Sequence, residues 1–178
     1  NVLAAIGERD RRLHEREERL IRQNAGLGRL ARVDLETEDD FLAAMRQFTE
    51  LAAEAQQISR VGVWLFDEAR EQLVCVDVFD RRTGTHATGA VCRRGERPRF
   101  FAAVEAENML MAEDTALDSR LEELRGDFLA PFAIEALLAT GIRWRGEMAG
   151  VLCHEHVGSV RAWLTDEITF GTAVAEQI

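Results

Sequence analysis

The sequence predicts an α+β domain: a central antiparallel sheet of five or six strands, with terminal helices on one face and short helices and loops over a pocket on the other. Three observations carry this. Apolar residues recur at 3.6-residue spacing near the two ends of the chain and at period two between them. The period-two runs come in neighbours joined by short polar turns, which suits hairpins and not crossover connections. The stretch between the third and fourth runs is loop-rich and aromatic, so it must cover one face of the sheet.

The elements follow in order. Residues 1–33 form an Arg/Glu-rich helix whose Ile6, Leu13, Leu20 and Leu27 stand seven apart, one seam of a heptad pattern. The companion seam is polar, running from Leu3 to Asp10, Glu17 and Asn24, so a parallel two-helix dimer would be weak on its own; a single helix lying on its own domain is the alternative. Glu15 with Arg19 and Glu18 with Arg22 support a solvated helix, and Gly26 and Gly28 are expected to loosen its end. The sensor-like unit is placed at 34–178. Thr37, Glu38, Asp39 and Asp40 cap a second helix over 40–58, where Phe41, Leu42, Met45, Phe48, Leu51, Ala52 and Ala55 share a face.

Arg60 to Phe66 and Leu73 to Phe79 read as a hairpin, with Thr85 to Cys92 as a third strand weakened by Gly89. A short helix at 99–107 carries Phe100, Phe101 and Val104. Met109 to Ala112 is a short apolar piece, and a helical turn falls around Ser119 to Leu124. Glu135 to Trp144 and Met148 to Val157 pair across Arg145-Gly146-Glu147, and Thr165, Asp166 and Glu167 open a closing helix that runs to Ile178.

Composition bounds the function. The chain has 178 residues, 47% hydrophobic, and a formal charge of -10, so one packed domain is expected and general binding to nucleic acid or anionic membranes is not. No apolar run reaches the roughly 18 residues needed to span a bilayer, and no signal peptide is visible. Asn1 and Ile178 look like cuts through a longer polypeptide. The absence of Lys and Tyr reads as genomic bias. Cys75, Cys92 and Cys153 form no CxxC pair and are expected as reduced thiols in a cytoplasmic domain; Arg93 and Arg94 beside Cys92 leave a redox role open.

Four segments resemble the GAF family: RVGVWLFD at 60–67, APFAIEALLATGI at 130–142, GEMAGVLCHEHV at 146–157 and WLTDEITF at 163–170. The pairing of PRFF at 98–101 with LCHEH at 152–156 is similar to GAF domains that precede histidine kinase or diguanylate cyclase modules in bacteria. The resemblance implies a GAF/PAS-like sheet and a small-ligand pocket in a fragment that is not itself an enzyme, and the heptad seam of the first helix adds an expected homodimer through the terminal helices. Gly141 stands where relatives often carry Pro. The Asn-Lys-Phe-Asp-Glu set of cyclic-nucleotide-binding members and the Cys-His pair of bilin-bonding members are both absent, which disfavours those ligands.

The expected pocket residues are Trp64, Phe100, Phe101, Asp114, Phe128, Phe132, Leu137, His154 and His156. On a strand, His154 and His156 share one face and Cys153 and Glu155 the other. The histidines could line a pocket, ligate a metal or haem, or be structural. No cofactor is assigned. Asp114, Asp118 and Asp127 could do acid–base work but lack a nucleophile or metal set, so solvated loop charge is the simpler reading. Three functions stay open: a ligand sensor, a ligand-free dimerisation scaffold, and a redox or haem sensor.

Overall fold

The computed structural model describes residues 2–33 and 38–178. Helix α1 spans Val2–Leu30 and α2 Glu38–Gln56; the expected cap and acidic first turn at Thr37, Glu38, Asp39 and Asp40 lie outside the described side chains. Strands β1 (Arg60–Phe66), β2 (Gln72–Asp80), β3 (Thr85–Ala87) and β4 (Val91–Arg93) follow, then α3 (Pro98–Glu107) and β5 (Met109–Ala112). A 3-10 turn at Ser119–Leu124 runs into a π-helical turn at Arg125–Leu129, and β6 (Ile134–Trp144), β7 (Glu147–Val157) and α4 (Thr165–Ala175) complete the fold.

The sheet has seven strands in the order β3-β2-β1-β7-β6-β5, with β4 also on β2, and the pairings are antiparallel. The expected third strand is two. Gly89 takes φ +80°, and residues 88–90 leave the ladder between β3 and β4, although Gly89 and Ala90 still exchange backbone hydrogen bonds with Cys75 at 2.8 Å. The other additional strand is β5, Met109–Ala112, too short for its period to show in the sequence, and it pairs with Leu137–Thr140 of β6.

The sheet separates two apolar clusters. On one face α1, α2 and α4 cover Val61, Val63, Leu138 and Leu152, packing Met45, Phe48 and Phe170 against them. On the other, Leu73, Leu137 and Val151 meet Phe101 of α3, Leu110 and Leu121. This is the layering that the alternation predicts, since successive strand residues face opposite sides.

Helix α1 does not loosen at Gly26. Its last turns press on the domain, and a Cβ on Gly26 would lie 3.2 Å from Ala55 Cβ and 3.8 Å from the Phe170 ring. The missing side chain is what lets α1 approach α2 and α4. Gly26→Leu is therefore expected to cost about 1–3 kcal/mol of stability in urea unfolding, by forcing the helices apart. Arg19 reaches Asp166 of α4 at 2.9 Å, so a cation expected to serve α1 itself ties two helices together. Glu167 accepts the Leu164 N–H at 2.9 Å and thereby caps α4.

The edge strand β3 is fastened to α2 through a buried acid. Asp77 accepts from Thr49 Oγ1 at 2.5 Å and meets His86 Nδ1 at 2.8 Å, while His86 Nε2 meets Glu50 at 3.0 Å. Burial opposes charge on His86, but the hydrogen bonds to Glu50 and Asp77 outweigh it and raise its pKa.

Candidate functional site

Strand parity builds the site. Arg60, Gly62 and Trp64 of β1 stand on the face away from the long helices, opposite Glu155, Cys153 and Val151 of β7. Across the other edge of β1, Asp80, Val78 and Cys75 of β2 complete the rows. Above them the 3-10 and π-helical turns bring down Leu124 and Phe128, the turn that follows brings Phe132, and α3 brings Phe100. A cavity of about 260 Å³ lies between floor and roof.

The roof is an aromatic chain. Trp64 meets Phe128 edge-on at 5.7 Å, Phe128 meets Phe132 at 6.1 Å, and the Arg60 guanidinium lies 4.1 Å from the Phe132 ring centroid. Phe132 is 44% exposed, so it stands at the mouth of the cavity and not in its depth.

One end of the floor is a buried row of charges. Arg60 pairs with Glu155 at 3.1 Å and lies 3.9 Å from Asp80, which Arg82 holds at 2.6 Å. Arg60 Nη1 and both Glu155 oxygens nevertheless lack a hydrogen bond, so the pair is a charge contact without hydrogen-bond alignment. Burial pushes the Glu155 carboxyl up to about 7, against the pull of Arg60. At the other wall Arg97 pairs with Asp127 and, at 2.8 Å, with Glu96. Arg97 Nε and Trp64 Nε1 are buried without partners. Each such donor costs about 1–3 kcal/mol unless something accepts from it.

All three cysteines, Cys75, Cys92 and Cys153, line this cavity. Burial raises Cys75 to about 12, raises Cys92 to about 11 despite the Arg97 charge, and raises Cys153 as well. The thiols are therefore held protonated, the reverse of what a thiolate sensor needs. Arg94, one of the two cations beside Cys92 that left a redox role open, is committed to Glu105 at 2.8 and 2.9 Å.

Residues 40–178 match the family model of the GAF domain. The chain belongs to the GAF family. No curated protein sequence matches it. Among solved structures, this GAF domain is similar to that of an Acinetobacter phosphoenolpyruvate-protein phosphotransferase, at 12% identity and TM-score 0.68 over 89% of this chain and 88% of that one. It is similar to a phycocyanobilin-bound GAF domain from a cyanobacterial phytochrome at 17% identity and TM-score 0.68, covering 87% and 90%. A methyl-accepting chemotaxis protein fragment, residues 122 to 287, aligns at 19% identity and TM-score 0.64, covering 85% and 91%.

Of the residues expected in the pocket of this GAF domain, Trp64, Phe100, Phe128, Phe132 and Leu137 line the cavity. Phe101 instead packs on Phe66, 5.9 Å away, because it lies on the flank of α3 turned from the opening. Asp114 closes its own turn by accepting the Ala116 N–H at 3.0 Å. His154 and His156 are on the opposite face. Their shared parity was legible, but the helix side of the sheet claims them: His154 lies under Gly171 of α4 and His156 pairs with Ser159 at 3.0 Å. The haem and metal readings lose their ligands by this placement, and among the described residues no His, Cys, Asp and Glu cluster could hold a metal. A covalently held bilin also fits poorly, since none of the protonated cavity thiols has a cavity-facing His beside it.

The residues missed were Arg60, Arg97 and the three cysteines. Arg60 sits four residues before Trp64 on a strand, and that spacing alone puts both on one face.

His154 is a fully buried imidazole with neither ring nitrogen hydrogen-bonded, and burial pushes it down to about 4. Its unfolded form takes up a proton below about 6.5 that the folded form refuses. It therefore subtracts stability as pH falls from 6.5 towards 4. His154→Leu is expected to stabilise the domain at pH 7. Its advantage over wild type should then grow by roughly 2–3 kcal/mol by pH 4, read from urea unfolding at each pH.

Proposed function

We propose that this GAF domain is the sensory module of a bacterial signal-transduction protein, not itself a catalyst. It works in the cytoplasm as a homodimer joined through its terminal helices. A small ligand enters the cavity, orders the segment from α3 to Phe132, and shifts how α1 and α4 pack across the dimer. Those helices pass the change to an output domain such as a histidine kinase or diguanylate cyclase. A ligand moves such an equilibrium only by binding one arrangement more tightly.

The observation that supports this best is the position of the cavity. On β7, Cys153 faces it while His154, the next residue, faces Gly171 of α4, so ligand and signalling helix are separated by one strand. The solved relatives include a bilin-bound phytochrome domain and a chemotaxis-protein fragment, both consistent with sensing. Among the described residues no helix is long and apolar enough to cross a membrane.

Thermal melting against a broad metabolite library tests the reading. A ligand at 100 times its Kd should stabilise the fold by about 2.7 kcal/mol, or roughly 5–10 °C in Tm. Cys153→Phe, which fills the cavity floor, should abolish that shift. If no compound shifts Tm, the ligand-free scaffold reading takes its place; the exposed α1 seam supports that reading independently.

A further inference from the structure

The cavity carries a chemical bias in its unsatisfied atoms. Arg60, Trp64 and Arg97 are 5%, 6% and 7% exposed, and each presents a buried nitrogen without a hydrogen-bond partner: Nη1, Nε1 and Nε. All three side chains line the cavity, and all three orphan atoms are donors. No lining side chain among the described residues contributes an orphan acceptor. The one acid on the wall, Asp127, is already turned to Arg97. The remaining lining is largely apolar, with Phe100, Leu124, Phe128, Leu137 and Val151 among it.

We infer that the cavity takes a small carboxylate with an aromatic or branched aliphatic body, whose oxygens accept from Arg60, Trp64 and Arg97. The inference rests on the reading of this cavity as a ligand site. Donors of this kind hold an anion by charge-assisted hydrogen bonds while the apolar wall takes the body. An amine of the same shape would bring a cation to two guanidinium groups. A primary amide would lack the negative charge and turn N–H donors towards three orphan donors, and a site built from donors rejects such analogues strongly. At about 260 Å³ the cavity sits just below the usual range of roughly 300–1,000 Å³, which restricts the ligand to a small molecule.

Matched probes test this. Isothermal titration would compare 3-phenylpropanoate, 3-phenylpropanamide and 3-phenylpropylamine, and 4-methylpentanoate with its amide and amine. The acids are expected to bind at least ten times more tightly than their partners. Trp64→Phe and Arg97→Gln should each weaken the acid about three- to tenfold. The double replacement Arg60→Met with Glu155→Leu, which removes the buried pair together and avoids stranding one charge, should weaken it about tenfold. Urea midpoints would confirm that each variant is folded. Amides or amines binding as well as the acids would overturn the anion inference and leave the ligand-site reading standing. Acid binding unchanged in all three variants would also overturn it, because the acid would then sit elsewhere. No binding by any probe at millimolar concentration would count against both.

Discussion

At pH 8, Arg60→Met is expected to destabilise the domain by about 3–5 kcal/mol, the cost of removing one partner from a buried ion pair. Glu155 is fully buried and faces Arg60 at 3.1 Å, so losing the guanidinium strands a carboxylate between β1 and β6. The sign of the pH dependence follows from the carboxyl. Its folded pKa is raised from 4.5 to about 7, so between those values the folded state keeps a proton that the unfolded chain has lost. Stability from this group is thus greatest below 4.5 and declines as pH rises towards 7. Without Arg60 only the weaker pull of Arg82 remains, and the decline continues to higher pH. The difference between wild type and Arg60→Met should therefore widen from pH 5 to pH 8.5. The double variant Arg60→Met with Glu155→Leu should recover most of the loss, since an apolar pair of similar volume replaces a desolvated one. A deficit equal at both pH values would show that Arg60 acts through packing on Phe132 and not through charge.

Replacing Ile6, Leu13 and Leu20 together by Glu is expected to abolish the proposed dimer, weakening association about 1000-fold or more. The three side chains are 50%, 53% and 38% exposed and stand on one stripe of α1. Leu27, the fourth of the series, turns instead into the domain and packs on its core. The seam is therefore divided: its last member anchors α1, and the first three are left exposed, where the proposed dimer would use them. Glu at those positions would place like charges opposite one another in a two-helix pair. Because none of the three belongs to the domain core, the thermal stability of the folded unit should change little. Sedimentation equilibrium separates the outcomes. A wild-type monomer at tens of micromolar, or a variant that stays dimeric, would contradict this use of α1.

Much of the fold was legible because one face of each strand is apolar and the turns are short. The hairpins β1–β2 and β6–β7 and the helices on either side of the sheet follow from alternation and spacing alone. Where the sequence was silent, the cause is specific. Met109–Ala112 is a four-residue strand whose pairing is set by β6, so no local period marks it. The break at Gly89 shows as a glycine but not as two strands.

The site was legible only in part, for a related reason. Parity says that Cys153 and Glu155 share a face and that His154 and His156 share the other, but it does not say which face the long helices cover. Leu152, opposite Val63 in the helix-side cluster, decides it, and that contact is long-range. The aromatic pocket residues were found by hydrophobicity, whereas Arg60 and Arg97 are charged residues buried by tertiary packing, which local pattern does not foretell.

Ligand is expected to meet this domain on the face of the sheet turned away from the terminal helices. The three tryptophan indole N–H signals report on it directly in a nitrogen-proton correlation spectrum. Trp64 lines the cavity with its Nε1 unpartnered, Trp163 donates to the Ala112 carbonyl at 3.2 Å in the core, and Trp144 is 66% exposed. Titration with 3-phenylpropanoate should shift the Trp64 indole signal saturably while those of Trp144 and Trp163 stay in place. A saturable shift at Trp144 or Trp163 with Trp64 unmoved would contradict the account.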